Sequence, residues 1–180
     1  MGQYVALIRG ITHSNPNIHN NKLRSLFEDI GFQNVQTVLS SGNVIFESQT
    51  SNTAEIEDII EKSLPEQLNF TSTTIVRSRD ELQSIFNSEP FNGRRDTSKC
   101  KLNVTFLKNK PNNNIEFPYH FKNNGFVLLG IQHNAIYSIV DLTKTKKPNL
   151  MRWMDKEFSK NVTTRTWRTI NRILKRLDET

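Results

Sequence analysis

The segment Val35–Phe46, VQTVLSSGNVIF, reads as two strands joined by a tight polar turn, and the rest of the fold is interpreted around this hairpin. The turn residues 40–43, Ser-Ser-Gly-Asn, favour chain reversal, and Gly42 can adopt the positive φ that such turns need. The second arm, residues 44–46, is apolar at consecutive positions, so both of its faces must be covered. We therefore predict that this arm is a central strand of a sheet.

The segments on either side of this hairpin alternate between strand and helix patterns. They are a strand over Tyr4–Arg9 that is apolar on both faces, a helix from about residue 20 to Gly31, a helix that begins at Asn52 or Thr53 and is interrupted at Pro65, and a strand over Thr73–Arg77. The order β-α-β-β-α-β over residues 3–78 is that of the ferredoxin-like motif. In that motif the first and third strands are central, and these are the two strands that are apolar on both faces here.

The rest of the chain shows a second set of strand and helix patterns. These are a helix over residues 79–86, a charged loop over 89–98, strands at 101–107, 126–129 and 135–140, and helices near 150–158 and 166–177. We predict an α+β protein in which a ferredoxin-like N-terminal half, residues 3–78, packs on a second, smaller α+β half. The second half covers residues 79–180 and ends in basic helices.

Composition limits the classes of protein to which the chain can belong. It has neither a run of about 18 apolar residues nor a basic-then-apolar N-terminus, so we expect no membrane span and a cytoplasmic location. Cys100 is the only cysteine, the four histidines are far apart and no nucleotide-cofactor motif is present, so we expect no metal and no cofactor. The positive charge is concentrated between residues 144 and 176, a segment that contains eleven basic and two acidic residues, whereas the net charge of the whole chain is +6. Such a segment attracts phosphate-rich partners.

Topology brings two distant segments to one edge of the predicted sheet. In the ferredoxin-like motif the first and second strands run parallel, so the end of the first strand lies beside the turn after the second. Arg9 and Gly10 should therefore lie next to Ser41, Gly42 and Asn43. A guanidinium, hydroxyls, an amide, backbone N–H groups and the start of the following helix are what an anion site requires. The alternative is that Ser-Gly-Asn is only a good hairpin turn and that Arg9 pairs with an acidic neighbour.

The last predicted helix has a basic face and an apolar face. At helical spacing its cations share one side; they are Arg168, Arg172, Lys175 and Arg176. Such a stripe could follow a phosphate backbone or lie on an anionic membrane, although most are the solvated backs of packed helices. The predicted sheet lacks the spaced aromatic residues with which RNA-recognition domains stack bases. A weak nucleic-acid contact through the basic tail therefore stays open.

Cys100 is the one thiol that could act as a nucleophile. It lies among basic residues between positions 94 and 101, and positive neighbours lower the pKa of a thiol. Its strand parity with Leu102 and Val104 favours instead a buried structural cysteine, and no histidine is adjacent to act as its base. We predict the structural role.

Several motifs together resemble bacterial domain-of-unknown-function family 1697. They are residues 6–11 (ALIRGI), the helix end Gly31-Phe32, residues 41–44 (SGNV) before Phe46, and residues 163–167 (TTRTW). The resemblance implies a two-part α+β fold and brings no established activity. It carries over as motif residues Arg9, Gly10, Ser41, Gly42, Asn43, Arg165 and Trp167. The chain departs from the family pattern at Thr12–Asn15, where the family usually has Asn-Val-Gly-Gly, and at Thr166, where Asn is usual.

These observations favour noncatalytic binding of a phosphate-bearing ligand, either a nucleotide or a nucleic acid. The predicted site is the edge formed by Arg9 and by residues 41–43, with help from Arg165. One alternative is an enzyme that acts on a phosphorylated or acidic small molecule at the same edge, mainly by positioning and electrostatics. Another is a protein-interaction domain without a small ligand. The oligomeric state is not predicted.

Overall fold

The computed structural model describes residues 1–12, 15, 18–111, 114–121, 125–144 and 149–179. Across these residues it has nine strands in two antiparallel sheets and five helices, which confirms the predicted mixed α+β class. The chain divides into a first unit, Met1–Leu82 with Arg172–Thr180, and a second unit, Gln83–Asn171. Most of the polar loop after Gly10 lies outside the described residues, including Ser14, one of the two positions at which the family usually has glycine.

The first unit contains the predicted βαββαβ segment. Its elements are β1 (Gly2–Ile8), α1 (Asn20–Asp29), β2 (Gln33–Thr37), β3 (Asn43–Ser48), α2 (Thr53–Leu68) and β4 (Thr74–Ser78). The strand order is β2-β3-β1-β4, and all neighbours are antiparallel. This is the ferredoxin-like arrangement, with β1 and β3 in the centre as their two-sided apolar patterns predict.

An aromatic cluster forms part of the core under the helices of the first unit. Phe46 on β3 is fully buried, and its ring centroid lies 4.5 Å from that of Phe32 and 5.3 Å from that of Phe27. Tyr4 on β1 stacks on the same ring at 5.9 Å. Rings at these separations add attraction beyond their burial. The predicted central hairpin arm is therefore also the centre of the packing.

The second helix of this unit runs further than predicted. Asn52 caps α2 by accepting a hydrogen bond from the Glu55 N–H, but α2 passes through Pro65 and ends at Leu68. The expected interruption at Pro65 is wrong. Because the turn after the proline keeps Leu68 against the core, apolar contact offsets the backbone hydrogen bond that proline cannot make.

The second unit is built on a larger antiparallel sheet. Its strands are β5 (Cys100–Leu107), β6 (Tyr119–Phe121), β7 (Phe126–Gln132), β8 (Ala135–Asp141) and β9 (Val162–Thr166), in the order β6-β7-β8-β5-β9. The helices are α3 (Arg79–Asn87), α4 (Leu150–Glu157) and α5 (Trp167–Asp178), and the division between the units falls within α3 and within α5. The core of the second unit includes Leu128 and Ile136 from the sheet and Met154 from α4. The edge strands β6 and β9 have no counterpart among the predicted strands.

Candidate functional site

The end of β1 and the turn before β3 meet as the topology predicts. The Ile8 N–H donates a hydrogen bond to the Gly42 carbonyl over 2.8 Å, and a Cβ built on Gly42 would lie 2.7 Å from the Ile8 carbonyl oxygen. We call the five residues Arg9, Gly10, Ser41, Gly42 and Asn43 the rim. A cavity of about 210 Å³ beside the turn is lined by Thr12, Ser40 and the start of α1.

Some polar groups of the rim are already engaged in hydrogen bonds within the turn. The Asn43 side chain is only 1% exposed, and its Nδ2 donates to the Val38 carbonyl over 2.9 Å and to Ser41 Oγ over 3.0 Å. Gly42 is buried as well. A ligand at the rim would therefore meet the half-buried Arg9, the exposed Gly10 and the half-buried Ser41 before it met the Asn43 amide.

The remaining motif residues, Arg165 and Trp167, belong to the second unit. The half-buried Arg165 lies on β9, where its Nη1 donates to Thr163 Oγ1 over 2.7 Å and to the Thr164 carbonyl over 3.0 Å. Burial lowers the pKa of Arg165 to about 10, which leaves the guanidinium charged at neutral pH. Trp167 begins α5 and stacks on Phe86 at a centroid distance of 5.8 Å.

A basic groove of about 730 Å³ opens in the second unit beside Trp167. We define the groove by its lining residues: Gly93, Arg94, Arg95, Asp96, Thr97, Ser98, Lys101, Trp167, Arg168 and Asn171. Four of these side chains are cationic and one is a carboxylate. A cavity of about 590 Å³ between α1 and α2 has a single cation, Lys22, in its lining. The groove therefore has the stronger attraction for anions.

The loop that carries Arg94 and Arg95 is fixed by backbone N–H groups that donate hydrogen bonds to side chains and to a backbone carbonyl. Thr97 Oγ1 accepts from the Cys100 N–H over 3.0 Å, and the Thr97 N–H donates to the Cys100 carbonyl over 2.9 Å. Asp96 Oδ1 accepts from the Leu102 N–H over 2.9 Å. The one carboxylate of the groove is thus engaged with backbone, and the arginines are presented from an ordered turn.

The opposite side of the groove is the first turn of α5. The Thr169 N–H donates to Thr166 Oγ1 over 3.2 Å, as a capping residue requires, and Arg168 projects as an exposed side chain. The N-terminal end of a helix carries a partial positive charge. The helix end and the cations around it therefore attract the same kind of ligand.

The other cations on α5 lie on its exposed side. Arg172, Lys175 and Arg176 are all exposed, and Arg176 Nη1 lies 3.4 Å from Glu179 Oε2. The residues on the other side of α5, including Ile173 and Leu177, are buried. The cations of α5 are thus exposed and its apolar residues are buried, and the contact with nucleic acid stays a prediction.

Cys100 is half-buried at the start of β5 and is not activated as a nucleophile. Burial raises the pKa of the thiol, Asp96 and Asp141 raise it further, and Arg94 and Lys101 oppose the change. The basic flanks noted in the sequence are therefore outweighed by desolvation and by acidic neighbours. A raised pKa leaves less of the nucleophilic thiolate at neutral pH.

We expect Cys100 to react slowly with iodoacetamide at neutral pH. Because the thiolate forms only above the usual thiol pKa of about 8.5, the alkylation rate constant should still be rising beyond that pH. Asp96→Asn removes one negative neighbour and should raise the rate constant near neutral pH. Mass spectrometry of samples quenched over a pH series measures both; a rate constant that levels off below about pH 8 would contradict the expected pKa direction.

The described residues also bear on membrane spans and metal sites. Within the part of the chain that is described, no helix combines the length and apolar character needed to cross a membrane. Among these same residues, no group of three or more His, Cys, Asp and Glu side chains is arranged to hold a metal ion.

Comparison with known proteins now identifies the family. A family model described as "Protein of unknown function (DUF1697)" matches residues 1–117. This chain belongs to the DUF1697 family. The match confirms the resemblance noted in the sequence, and it includes the rim but not Arg165 or Trp167.

A solved structure extends the likeness of this DUF1697 chain to its whole length. The conserved bacterial protein SP0830 from Streptococcus pneumoniae superposes with a TM-score of 0.74 at 19% sequence identity, and the alignment covers 99% of each chain. At that identity the likeness shows the fold alone. No curated protein matches this DUF1697 chain.

Proposed function

We propose that this protein binds a phosphate-bearing ligand, a nucleotide or a nucleic acid, without a chemical step, and that the basic groove is its main binding surface. The observation that carries the proposal is the groove lining, in which four cationic side chains and the start of α5 face a single carboxylate. That carboxylate already accepts a backbone hydrogen bond. The raised pKa of the nearby Cys100 is consistent with binding rather than nucleophilic catalysis.

The chemistry of the groove suits phosphate in particular. The groove has three arginines, Arg94, Arg95 and Arg168, and a planar guanidinium donates two parallel hydrogen bonds to phosphate oxygens. Backbone N–H groups at a helix start add donors that point at the anion. Because the loop 93–98 is ordered by its own hydrogen bonds, little conformational entropy is lost when the ligand binds.

The rim remains a second proposed surface for the same kind of ligand, in the first unit. Arg9 supplies a cation, and Gly10 and Ser41 supply accessible polar groups beside the small cavity at the start of α1. The rim offers fewer cations than the groove. The two surfaces are separable by experiment because they share no residue.

Calorimetric titration with inorganic tripolyphosphate tests the proposal. We expect binding at about 50 mM salt that weakens strongly at about 200 mM, because cation–phosphate contacts release counterions. The double variant Arg95→Ala/Arg168→Ala should weaken binding at least about tenfold, since each charged hydrogen bond contributes about 1.5–3 kcal/mol. The matched control, Arg152→Ala/Lys156→Ala, removes the same charge from exposed positions on α4 and should bind nearly as the unmodified protein does.

The same titration separates the groove from the rim. Arg9→Ala should leave tripolyphosphate binding to the groove intact. If Arg9→Ala abolishes binding and the groove variant does not, the rim is the binding surface and the groove assignment is wrong. If the α4 control weakens binding as much as the groove variant does, the interaction is nonspecific. Absence of binding at low salt would overturn both surfaces.

A further inference from the structure

A second cavity of about 380 Å³ adjoins the basic groove in the same unit. The lining of this adjoining cavity is Arg94, His120, Phe121, Gly125, Phe126, Val127, Ile139, Asp141 and Lys144. Arg94 lines both spaces, so the groove and the adjoining cavity are neighbours on the surface. We call the groove and the adjoining cavity together the track.

Both parts of the track combine cations with aromatic rings. Trp167, half-buried and stacked on Phe86, lines the groove. Phe121, also half-buried, stacks on Phe126 in the adjoining cavity with a centroid distance of 4.7 Å and an interplanar angle of 14°. A positively charged groove with aromatic rings along it is typical of surfaces that bind single-stranded nucleic acid, because phosphates meet the cations and unpaired bases stack on the rings.

The charges of the track favour a polyanion along its length. The cationic side chains Arg94, Arg95, Lys101, Lys144 and Arg168 face two carboxylates, Asp96 and Asp141. Hydrogen bonds from the Thr143 side chain and backbone hold the pKa of Asp141 below its usual range, so this carboxylate stays ionised. Lys144 Nζ lies 3.8 Å from Asp141 Oδ2, but its side chain is 71% exposed and remains accessible to a ligand. The cations still outnumber the carboxylates.

We propose that a single strand of nucleic acid binds along the track, with its phosphates at Arg94, Arg95, Lys101, Arg168 and Lys144 and its bases against Trp167 and Phe121. This inference rests on the proposed function of the groove and extends it by naming the partner as a single strand of nucleic acid. A duplex keeps its bases stacked inside, where the aromatic rings cannot reach them. The track therefore discriminates in favour of unpaired strands.

Fluorescence anisotropy with a labelled single-stranded RNA of about 12 nucleotides tests this inference. For single strands, log K falls with log salt by about 0.7 for each phosphate contact, so the five cations predict a slope of about −3.5. Lys144→Ala should reduce the slope by about 0.7, whereas the matched control Lys156→Ala should leave it unchanged. Phe121→Leu should weaken strand binding about tenfold, because one stacked base is lost.

Comparison of RNA binding with tripolyphosphate binding shows which proposal is wrong, the one for the track or the one for the groove. Lys144→Ala and Phe121→Leu should weaken binding of the RNA strand but not of tripolyphosphate. If they leave the RNA affinity unchanged while Arg95→Ala/Arg168→Ala still weakens tripolyphosphate, the track is wrong and the groove stands. If tripolyphosphate does not bind at all, the groove proposal fails first. Equal affinity for a duplex of the same length would also overturn the track. Lys144→Ala keeps the test valid if Phe121→Leu perturbs the fold, because Lys144 is exposed.

Discussion

Replacing Gly42 with alanine is expected to destabilise the first unit by about 3 kcal/mol, because two separate costs add at this position. Gly42 has a φ of +71°, a conformation that costs a residue with a Cβ about 1–2 kcal/mol. The new Cβ would also lie 2.7 Å from the Ile8 carbonyl oxygen and 3.1 Å from the Ile11 side chain. Since the nearest obstacle is the backbone of the strand region beside the turn, a side-chain rotation cannot relieve it, and overpacking adds about 1–3 kcal/mol.

Gly10→Ala is the matched control for this prediction. Gly10 has a similar φ of +75°, but its Cβ would meet only the Phe70 ring, at 3.8 Å. The control therefore contains the backbone cost without the collision, and we expect a loss of about 1 kcal/mol. Urea unfolding monitored by circular dichroism measures the free energy of unfolding of both variants. A Gly42→Ala variant that is no less stable than Gly10→Ala would show that the turn can move away from Ile8 at little cost.

The tight turn also affects how the rim should be tested for binding. Gly42 and Asn43 build the turn, so their substitution would alter a ligand assay by distorting the fold. Arg9 is the better probe, because two hydrogen bonds at this position are made by its backbone: the N–H donates to the Thr73 carbonyl, and the carbonyl accepts from Ser72 Oγ. Removal of the Arg9 side chain leaves those backbone bonds in place.

Much of the first unit could be predicted from hydrophobic patterning. Consecutive apolar residues in the segments of β1 and β3 indicated strands covered on both faces, and both strands do bury consecutive residues. The strand order followed from the motif. The contact between the end of β1 and the Gly42 turn followed from the same topology. The continuation of α2 through Pro65 could not be predicted, because it depends on the packing of Leu68 against the core. Helix propensity, which reflects only the local sequence, carries no information about that packing.

The groove was missed because it depends on an edge strand with a weak sequence pattern. The segment Val162–Thr166 (VTTRT) has the β-branched residues of a strand but little hydrophobic alternation, and the TTRTW motif was used for the resemblance and not as a strand. Pairing of Asn103 on β5 with Thr166 on β9 brings the start of α5 beside Lys101. If β9 had been recognised as the partner of β5, Trp167 would have been placed beside the loop 93–98, which the sequence analysis describes only as charged.

The second large effect is expected at a buried carboxylate that satisfies the edge of the first sheet. Glu57 on α2 is 5% exposed, and its Oε1 accepts a hydrogen bond from the Val76 N–H on the edge strand β4 over 2.8 Å. Burial lowers the pKa of the buried Arg77, and the charge of Glu57 opposes this change by favouring the protonated guanidinium. An edge strand presents unpaired N–H groups that can pair with a strand of another chain. A helix side chain that accepts a hydrogen bond from such an N–H group makes this pairing less favourable.

Glu57→Ala is therefore expected to destabilise the protein by about 3 kcal/mol, since it leaves a buried N–H without its carboxylate and weakens the environment of a buried cation. Glu57→Gln keeps an acceptor but not the charge, and its loss should be smaller. Glu61→Ala is the matched control: Glu61 accepts from the Thr74 N–H over 2.7 Å but is half-buried, so water can replace it at a cost of about 1 kcal/mol. Urea unfolding of the three variants should rank Glu57→Ala as the least stable. Equal losses for Glu57→Ala and Glu61→Ala would mean that burial of the carboxylate beside Arg77 adds nothing to the value of the hydrogen bond.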